Sequence, residues 1–543
     1  MISEYYRYKQ IYKQLAAIMA CGIISFTCFV SHGHANSQEE PPQPFVTVSQ
    51  YRFSGQNPVT EDELAGLLAD SVGKPATLSE LEKKAGNITR YLRSKGYFVA
   101  FAYIPPQSFA DGKIEIAIEP GRYDRIIINN QTKVRDEAIR RELGKVASGA
   151  VVEKAALERA VWLIGDLAGA EAKTSLQAGS QPGTTTLTVN VVAKGNPTWG
   201  YVGVDNGGYR YTGCYQYTTL VNRANPLHEG DLLTVSGLYT GEGQSGGSIS
   251  YTTPVWDQGS RIGISYARSY YLLGKQFAFL DATGTADTLS LSYQKNFQRS
   301  RNANWYGELR FESKELHNEV LKLGKRRKQS DNWVVGIRGD TLDTWQGGGA
   351  STYSFTYTRG ELDLRHADDR VNDADPVYGP RTAGSFGKYN LNLTRLQQLH
   401  DRLALYLTYG YQWAGKNLDA SEKLSLGGPF GVRAYPTGEA SGDEGWNGMA
   451  ELRWNLHAEE GERNVYQLIA FVDGGSVSEY KNPPPAETGP NRRSLYGAGV
   501  GVNWSHEDNW AARLHYAWKL GSEDAQSDTD KSGRLWFQLY RFF

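Results

Sequence analysis

Residues 446–456 read "WNGMAELRWNL". Trp446, Gly448, Ala450, Leu452, Trp454 and Leu456 share one face of an extended chain, and Asn447, Met449, Glu451, Arg453 and Asn455 share the other. A period of two is the spacing of a β-strand, whose successive side chains point to opposite faces. The pattern recurs in "NWAARLHYAWKL" (509–520), where Trp510, Ala512, Leu514, Tyr516 and Trp518 oppose Arg513, His515 and Lys519. It recurs again in "RLALYLTYGYQW" (402–413), with Leu403, Leu405, Leu407, Tyr409, Tyr411 and Trp413 in phase.

A soluble sandwich also alternates, so the features around these strands decide. After Pro197 helix signals stop, and strand follows turn to the end of the chain. The pattern predicts 16 strands over 197–543, with aromatics recurring near strand ends. Connections after odd-numbered strands are long (about 271–285, 316–331, 361–384, 415–445, 475–493 and 520–532), and those after even-numbered strands are short (398–402, 506–508). Unequal loops at two ends, aromatic girdles and an even strand count describe an outer-membrane β-barrel. Its long loops would lie outside and its C-terminus on the periplasmic side. A mean hydropathy of −0.51 is compatible with this, because half of each strand faces a polar lumen.

Upstream, the pattern is mixed α/β. "TLSELEKKAGNITRYLRSKGY" opens with a capping box, Thr77 to Glu80, followed by Leu81, Ala85, Ile88 and Leu92 at helical spacing. The order strand, helix, helix, strand, strand occurs over 45–120 and again over 121–196, which predicts two consecutive modules of one plan. Residues 1–35 read as a signal peptide: Arg7, Lys9 and Lys13 precede the apolar stretch Leu15–Val30, and Gly33-His34-Ala35 forms a small-residue cleavage site. Residues 36–44 are a short polar lead-in.

Removal of the leader leaves one cysteine, Cys214, so no intramolecular disulfide is expected. A formal net charge of −1 gives no argument for nucleic acid as a partner. No apolar run long enough for a membrane helix follows the leader. There is no Walker A loop and no His-Glu-x-x-His, and His32 and His34 flank the cleavage site, so neither cofactor nor metal is expected. Gly243-Gln244-Ser245-Gly246-Gly247 matches a nucleophile-elbow pattern, but lies in a Gly-rich hairpin where that elbow cannot form. The chain is not expected to be an enzyme.

Four motifs in order resemble the two-partner secretion (TpsB) transporters, the haemolysin secretion/activation branch of the outer-membrane assembly superfamily. "GYFVAFAYIPPQSFADGKIEIAIEPGR" (96–122) is similar to the end of that family's first POTRA domain. "VDNGGYRYTGCYQYTTLVNRANPLHEGD" (204–231) is similar to its first barrel hairpin. "LGGPFGVRAYPTGEASGDEGW" (426–446) is similar to its sixth loop, and "FVDGG" (471–475) to its barrel-wall motif. Ala434 stands where the family commonly has Gly, and Arg541 interrupts the apolar phase of the terminal "LYRFF".

The resemblance implies two periplasmic POTRA domains joined to a 16-stranded barrel in the bacterial outer membrane. It implies export, with or without activation, of an unfolded partner exoprotein. Further partners would be outer-membrane lipid and lipopolysaccharide, and the machinery that assembles barrels. It also implies that the sixth loop (Val432, Arg433, Tyr435, Asp443, Gly445) folds into the lumen and that Arg433 meets Asp473, flanked by Phe471 and Gly475. The residue pattern agrees: Tyr466, Leu468, Ala470 and Val472 form an apolar face, which leaves Asp473 in the lumenal phase. With only a short lead-in before Phe45, no plug helix is expected. Lys325-Arg326-Arg327-Lys328 is read as an external loop that is either solvated or facing lipopolysaccharide phosphates. Arg513, His515 and Lys519 are either a conducting stripe or partners of lumenal acids. The alternative functions are an assembly factor that inserts other barrels and a passive pore for small-molecule uptake.

Overall fold

The computed structural model describes residues 45–322, 324–456, 463–507 and 509–543. The expected leader and lead-in lie outside these described residues. The chain divides into two compact units, one holding most of residues 45–192 and the other the rest of the chain from residue 193.

In the first unit β1 (Phe45–Thr47) pairs with β3 (Pro75–Thr77), and β2 (Gln50–Gly55) runs parallel to β5 (Lys113–Glu119). A parallel pair needs a crossover. Helices α1 (Glu61–Leu68) and α2 (Leu78–Ser94) supply it, and β4 (Phe101–Tyr103) completes the sheet order β2-β5-β4. The capping box forms as read: Thr77 accepts from the Glu80 backbone and Glu80 from the Thr77 backbone. Leu81, Ala85, Ile88 and Leu92 then meet Ile114, Ile116 and Ile118 in one core. The plan repeats in β6 (Arg122–Asn130), α3 (Asp136–Leu143), α4 (Lys154–Gly165), β7 (Ala170–Ala178) and β8 (Thr184–Ala193), with sheet order β6-β8-β7.

The second unit is a closed antiparallel barrel of 16 strands. Its first half is β9 (Thr198–Asp205), β10 (Gln216–Ala224), β11 (Leu232–Tyr239), β12 (Gln244–Pro254), β13 (Ser260–Leu272), β14 (Thr283–Arg299), β15 (Ala303–Glu319) and β16 (Lys325–Asp343). Its second half is β17 (Gly349–Leu364), β18 (Gly384–His400), β19 (Leu403–Ala414), β22 (Glu444–Asn455), β23 (Asn464–Ser478), β24 (Arg492–His506), β25 (Trp510–Lys519) and β26 (Gly533–Phe542). Two short strands, β20 (Leu424–Leu426) and β21 (Ala440–Gly442), pair inside the connection 415–443. β26 closes on β9, with Phe542 opposite Tyr201.

The outer face is apolar. Leu291, Val335, Ile337, Phe355, Leu393, Val472, Val500 and Leu514 are exposed, and rings join laterally in Phe311–Trp333, Tyr357–Tyr389 and Tyr389–Trp413. A continuous apolar belt of this kind requires lipid rather than water. Among the described residues no helix is long and apolar enough to cross a membrane, so any crossing is made by strands. Arg541 falls in the outward phase as read; its guanidinium lies over the Trp510 ring and donates to the Asn509 carbonyl at the strand end. This tethers the charge beside an aromatic rather than leaving it in lipid.

The basic tract differs from the reading. Lys325–Lys328 opens β16 and does not form a loop; β15 ends at Glu319 and β16 begins at Lys325. Lys325 faces Glu319 across this hairpin, and Arg326 faces Asn318. Lys328 points inward to Asp419, 2.7 Å away. Ser245 of the elbow-like pattern lies within β12, paired with Tyr239 and Tyr270.

Candidate functional site in the barrel lumen

β23 carries Phe471, Asp473 and Gly475 at alternate positions, all on the inner face. Each does something different. The Phe471 ring is a platform for the Arg433 guanidinium, whose central carbon lies 3.2 Å from the ring centroid. The Asp473 carboxylate takes the fork: Nε donates to Oδ2 and Nη2 to Oδ1, both at 2.9 Å, and the Arg433 backbone N–H donates to Oδ2 at 3.1 Å. Gly475 leaves room: a Cβ there would sit 2.7 Å from Leu426 Cδ2. The wall motif is therefore a stacking surface, a bidentate acceptor and a gap.

The loop apex is fixed around this contact. Val432, Ala434 and Tyr435 are buried in a cluster with Leu426, Ile469 and Leu495. The Tyr435 hydroxyl donates to the Glu523 carbonyl, and Trp536 Nε1 donates to the Arg433 carbonyl at 2.6 Å. Ala434 sits against the wall glycine Gly497, where a Cβ would lie 2.7 Å from that of Ala434.

Sequence reading missed half of the charge arrangement. Glu451 of β22 lies in register with Phe471 and accepts from Arg433 Nη1 at 2.9 Å. Arg453 Nε completes a quartet on the other Glu451 oxygen at 2.7 Å. Two carboxylates thus face two arginines directly within a buried volume, as unpaired buried charge would not be tolerated. Glu451 shares its inward phase with Met449 and Arg453, which was the available signal. His515 belongs here too. Arg433 Nη1 faces His515 Nδ1 at 3.3 Å, and because arginine only donates, Nδ1 accepts. His515 Nε2 then donates to Asn503 Oδ1 at 2.9 Å, the neutral tautomer. Lys519 pairs with Asp530 of the connection that follows β25, so Lys519 and His515 of the basic row on β25 are both partnered.

Asp443 and Gly445 lie apart from the apex. Asp443 is buried at the loop base, where it accepts from the backbones of Leu418 and Lys481 and from Lys423. Gly445 is already in β22, packed on the Ser476 carbonyl. Among the described residues no cluster of His, Cys, Asp and Glu could hold a metal ion.

Residues 183–504 match the family described as "Haemolysin secretion/activation protein ShlB/FhaC/HecB", more than half of the chain. The chain belongs to this family. Residues 46–121 match its ShlB-type POTRA domain. This family member is 27% identical over 515 residues to the heme/hemopexin transporter protein HuxB of Haemophilus influenzae, covering 94% of this chain and 89% of that protein. It is 25% identical to the outer membrane transporter CdiB of Dickeya dadantii, covering 84% and 80%. In fold it is similar to CdiB from Escherichia coli, with a TM-score of 0.74 at 20% identity over 100% of this chain and 98% of that one. BamA from Haemophilus ducreyi lacking POTRA domains 1–3 shares the fold more distantly, with a TM-score of 0.51 at 16% identity over 92% of this chain and 100% of that one. This chain is therefore an outer-membrane β-barrel transporter with periplasmic POTRA domains, of the class that secretes a partner exoprotein.

Proposed function

We propose that the α+β modules capture an unfolded partner protein in the periplasm and that the barrel conducts it outward past the lumenal loop. The observation that carries this is the family match over most of a closed 16-stranded barrel whose lumen is polar and charged. An unfolded chain presents unpaired backbone groups, and a sheet edge satisfies them without demanding a sequence. The two module sheets end in β2 and β4, and in β6 and β7, and such edges are where a strand would add. The Arg433–Asp473–Glu451 cluster fixes the loop apex to the wall and so defines the conduit. Folding of the cargo outside supplies direction. Outer-membrane lipid, lipopolysaccharide and the barrel-assembly machinery are the other partners in this reading.

The test is co-expression with a candidate secreted partner exoprotein. The cargo should reach the medium only when this transporter is present. Accumulation of other outer-membrane barrels as unfolded precursors on its deletion would favour the assembly-factor reading instead.

A further inference from the structure

The connection 415–443 is bound to the barrel a second time, at residues that precede Arg433 in the same loop. Its first limb carries a short turn, Ala420–Glu422, that begins at Asp419. Glu422 is buried, and its carboxylate receives three wall donors. Lys314 Nζ of β15 lies 2.6 Å from Oε1, Asn332 Nδ2 of β16 lies 3.1 Å from the same oxygen, and Lys388 Nζ of β18 lies 2.8 Å from Oε2. Lys388 also donates to the Glu422 carbonyl at 2.9 Å, and Gln412 of β19 donates there at 3.0 Å. Asp419 is buried beside it. One of its oxygens accepts from Lys328 at 2.7 Å, and the other takes the backbone N–H and hydroxyl of Ser421. Gly360 of β17 makes the space, since a Cβ there would stand 2.2 Å from Asn332 Oδ1.

These partners sit on β15, β16, β18 and β19, whereas Arg433 is held by β22, β23, β25 and β26. The two clusters share no residue. Lys314 lies near the end of β15, and Lys328 and Lys388 near the starts of β16 and β18, at the end of the barrel that carries the long connections. We propose that Asp419 and Glu422, held by Lys314, Lys328 and Lys388, form a second latch that keeps the first limb of the loop on the wall independently of Arg433. The loop then leaves the lumen only when both latches let go. Contacts at the apex, and the Glu439–Arg493 ion pair that holds the second limb to β24, leave the first limb to its own contacts; the Asp419–Glu422 tether on a separated stretch of wall makes the loop a fixed crosspiece. Carboxylates buried against lysines gain a large part of their energy from charge, so removing either side of the latch favours the detached state.

The inference rests on the lumenal position of the loop and not on the export reading, so its test needs no cargo. The full-length protein is reconstituted in planar bilayers as wild type, Asp419→Asn/Glu422→Gln, Lys314→Met/Lys388→Met, Arg433→Ala, and Arg433→Ala combined with Asp419→Asn/Glu422→Gln. Heat-modifiable migration on gels selects assembled barrels. Loss of the latch from either side should raise the time spent in large-conductance openings by roughly tenfold, as for loss of one charged contact of a two-state element. The combined variant should exceed both of its parents. The lysine variants carry the test if the acidic ones fail to assemble. Conductance like wild type from the assembled acidic or lysine variants, or a combined variant equal to Arg433→Ala alone, overturns the proposal.

Discussion

Arg433 and Asp473 are not an isolated pair, and the difference is measurable. Arg433→Ala leaves Asp473 without its cation, while Glu451 keeps its ion pair with Arg453. Asp473→Ala leaves Arg433 still bound to Glu451 and stacked on Phe471. Removing one partner of a buried pair costs about 3–5 kcal/mol in a dry interior, and less in a wetted lumen. Arg433→Ala should therefore reduce cargo secretion by about tenfold or more, the larger loss of the two, while the barrel still assembles. The double variant should be no worse than Arg433→Ala, because residues acting as one unit do not add. Quantitative blotting of the medium, with heat-modifiability as the control, decides; equal losses from the two single variants would show that Glu451 carries no share. Gly475→Ala tests the gap in the wall motif. Its Cβ meets Leu426, and overpacking of this kind costs about 1–3 kcal/mol. It should loosen the apex without touching a charge, seen as protease cleavage within 427–438.

At the scale of elements, the start of α2 offers a prediction with a sign. Backbone and hydroxyl donation from Thr77 hold the Glu80 carboxyl below its usual value of 4.5. A depressed carboxylate contributes stability above its unfolded pKa, and that contribution disappears as pH falls through the lower folded value. Amides of the first turn of α2 should thus exchange faster at pH 3 than at pH 7, once intrinsic rates are corrected. Thr77→Ala should cost about 1 kcal/mol and remove most of that pH dependence. An unchanged pH dependence in Thr77→Ala would mean that the box contributes nothing. This capping box was legible in the sequence because its parts lie three residues apart. The strands were legible for a related reason: lipid outside and water inside impose alternation on each segment separately. The latch at Glu422 was not legible. Its partners Lys314 and Lys388 fall on strands separated from one another by β16 and β17, and which inward residues meet the loop depends on barrel register, which no local pattern encodes. For the same reason the phase of Glu451 was visible and its partner was not. The tract Lys325–Lys328 was misread because a run of like charge resembles a loop until the opposing strand, with Glu319 and Asn318, is laid beside it.

For the whole molecule, the two compact units predict separable roles. The barrel closes through its own ladder, from β9 to β26, and its strands require nothing from β1 to β8 for pairing. The modules have cores of their own, such as that built from Leu64, Leu81, Ile88 and Ile116. Deleting 45–194 should therefore leave a protein that fractionates with the outer membrane, migrates as a heat-modifiable barrel and begins near Asn36 after leader removal. N-terminal sequencing and membrane fractionation check these points. The same deletion should abolish appearance of cargo in the medium, because the edges proposed to take up an unfolded strand are gone. A finer variant separates capture from bulk: a proline in β7, at Ser175, removes one backbone N–H from an edge strand while α3 and α4 remain. Secretion should fall in that variant with the barrel unchanged. Secretion that survives the full deletion would remove strand capture from the mechanism and leave the lumen alone to select the cargo. Loss of the barrel itself on deletion would show that the modules are needed for assembly, before any question of transport arises.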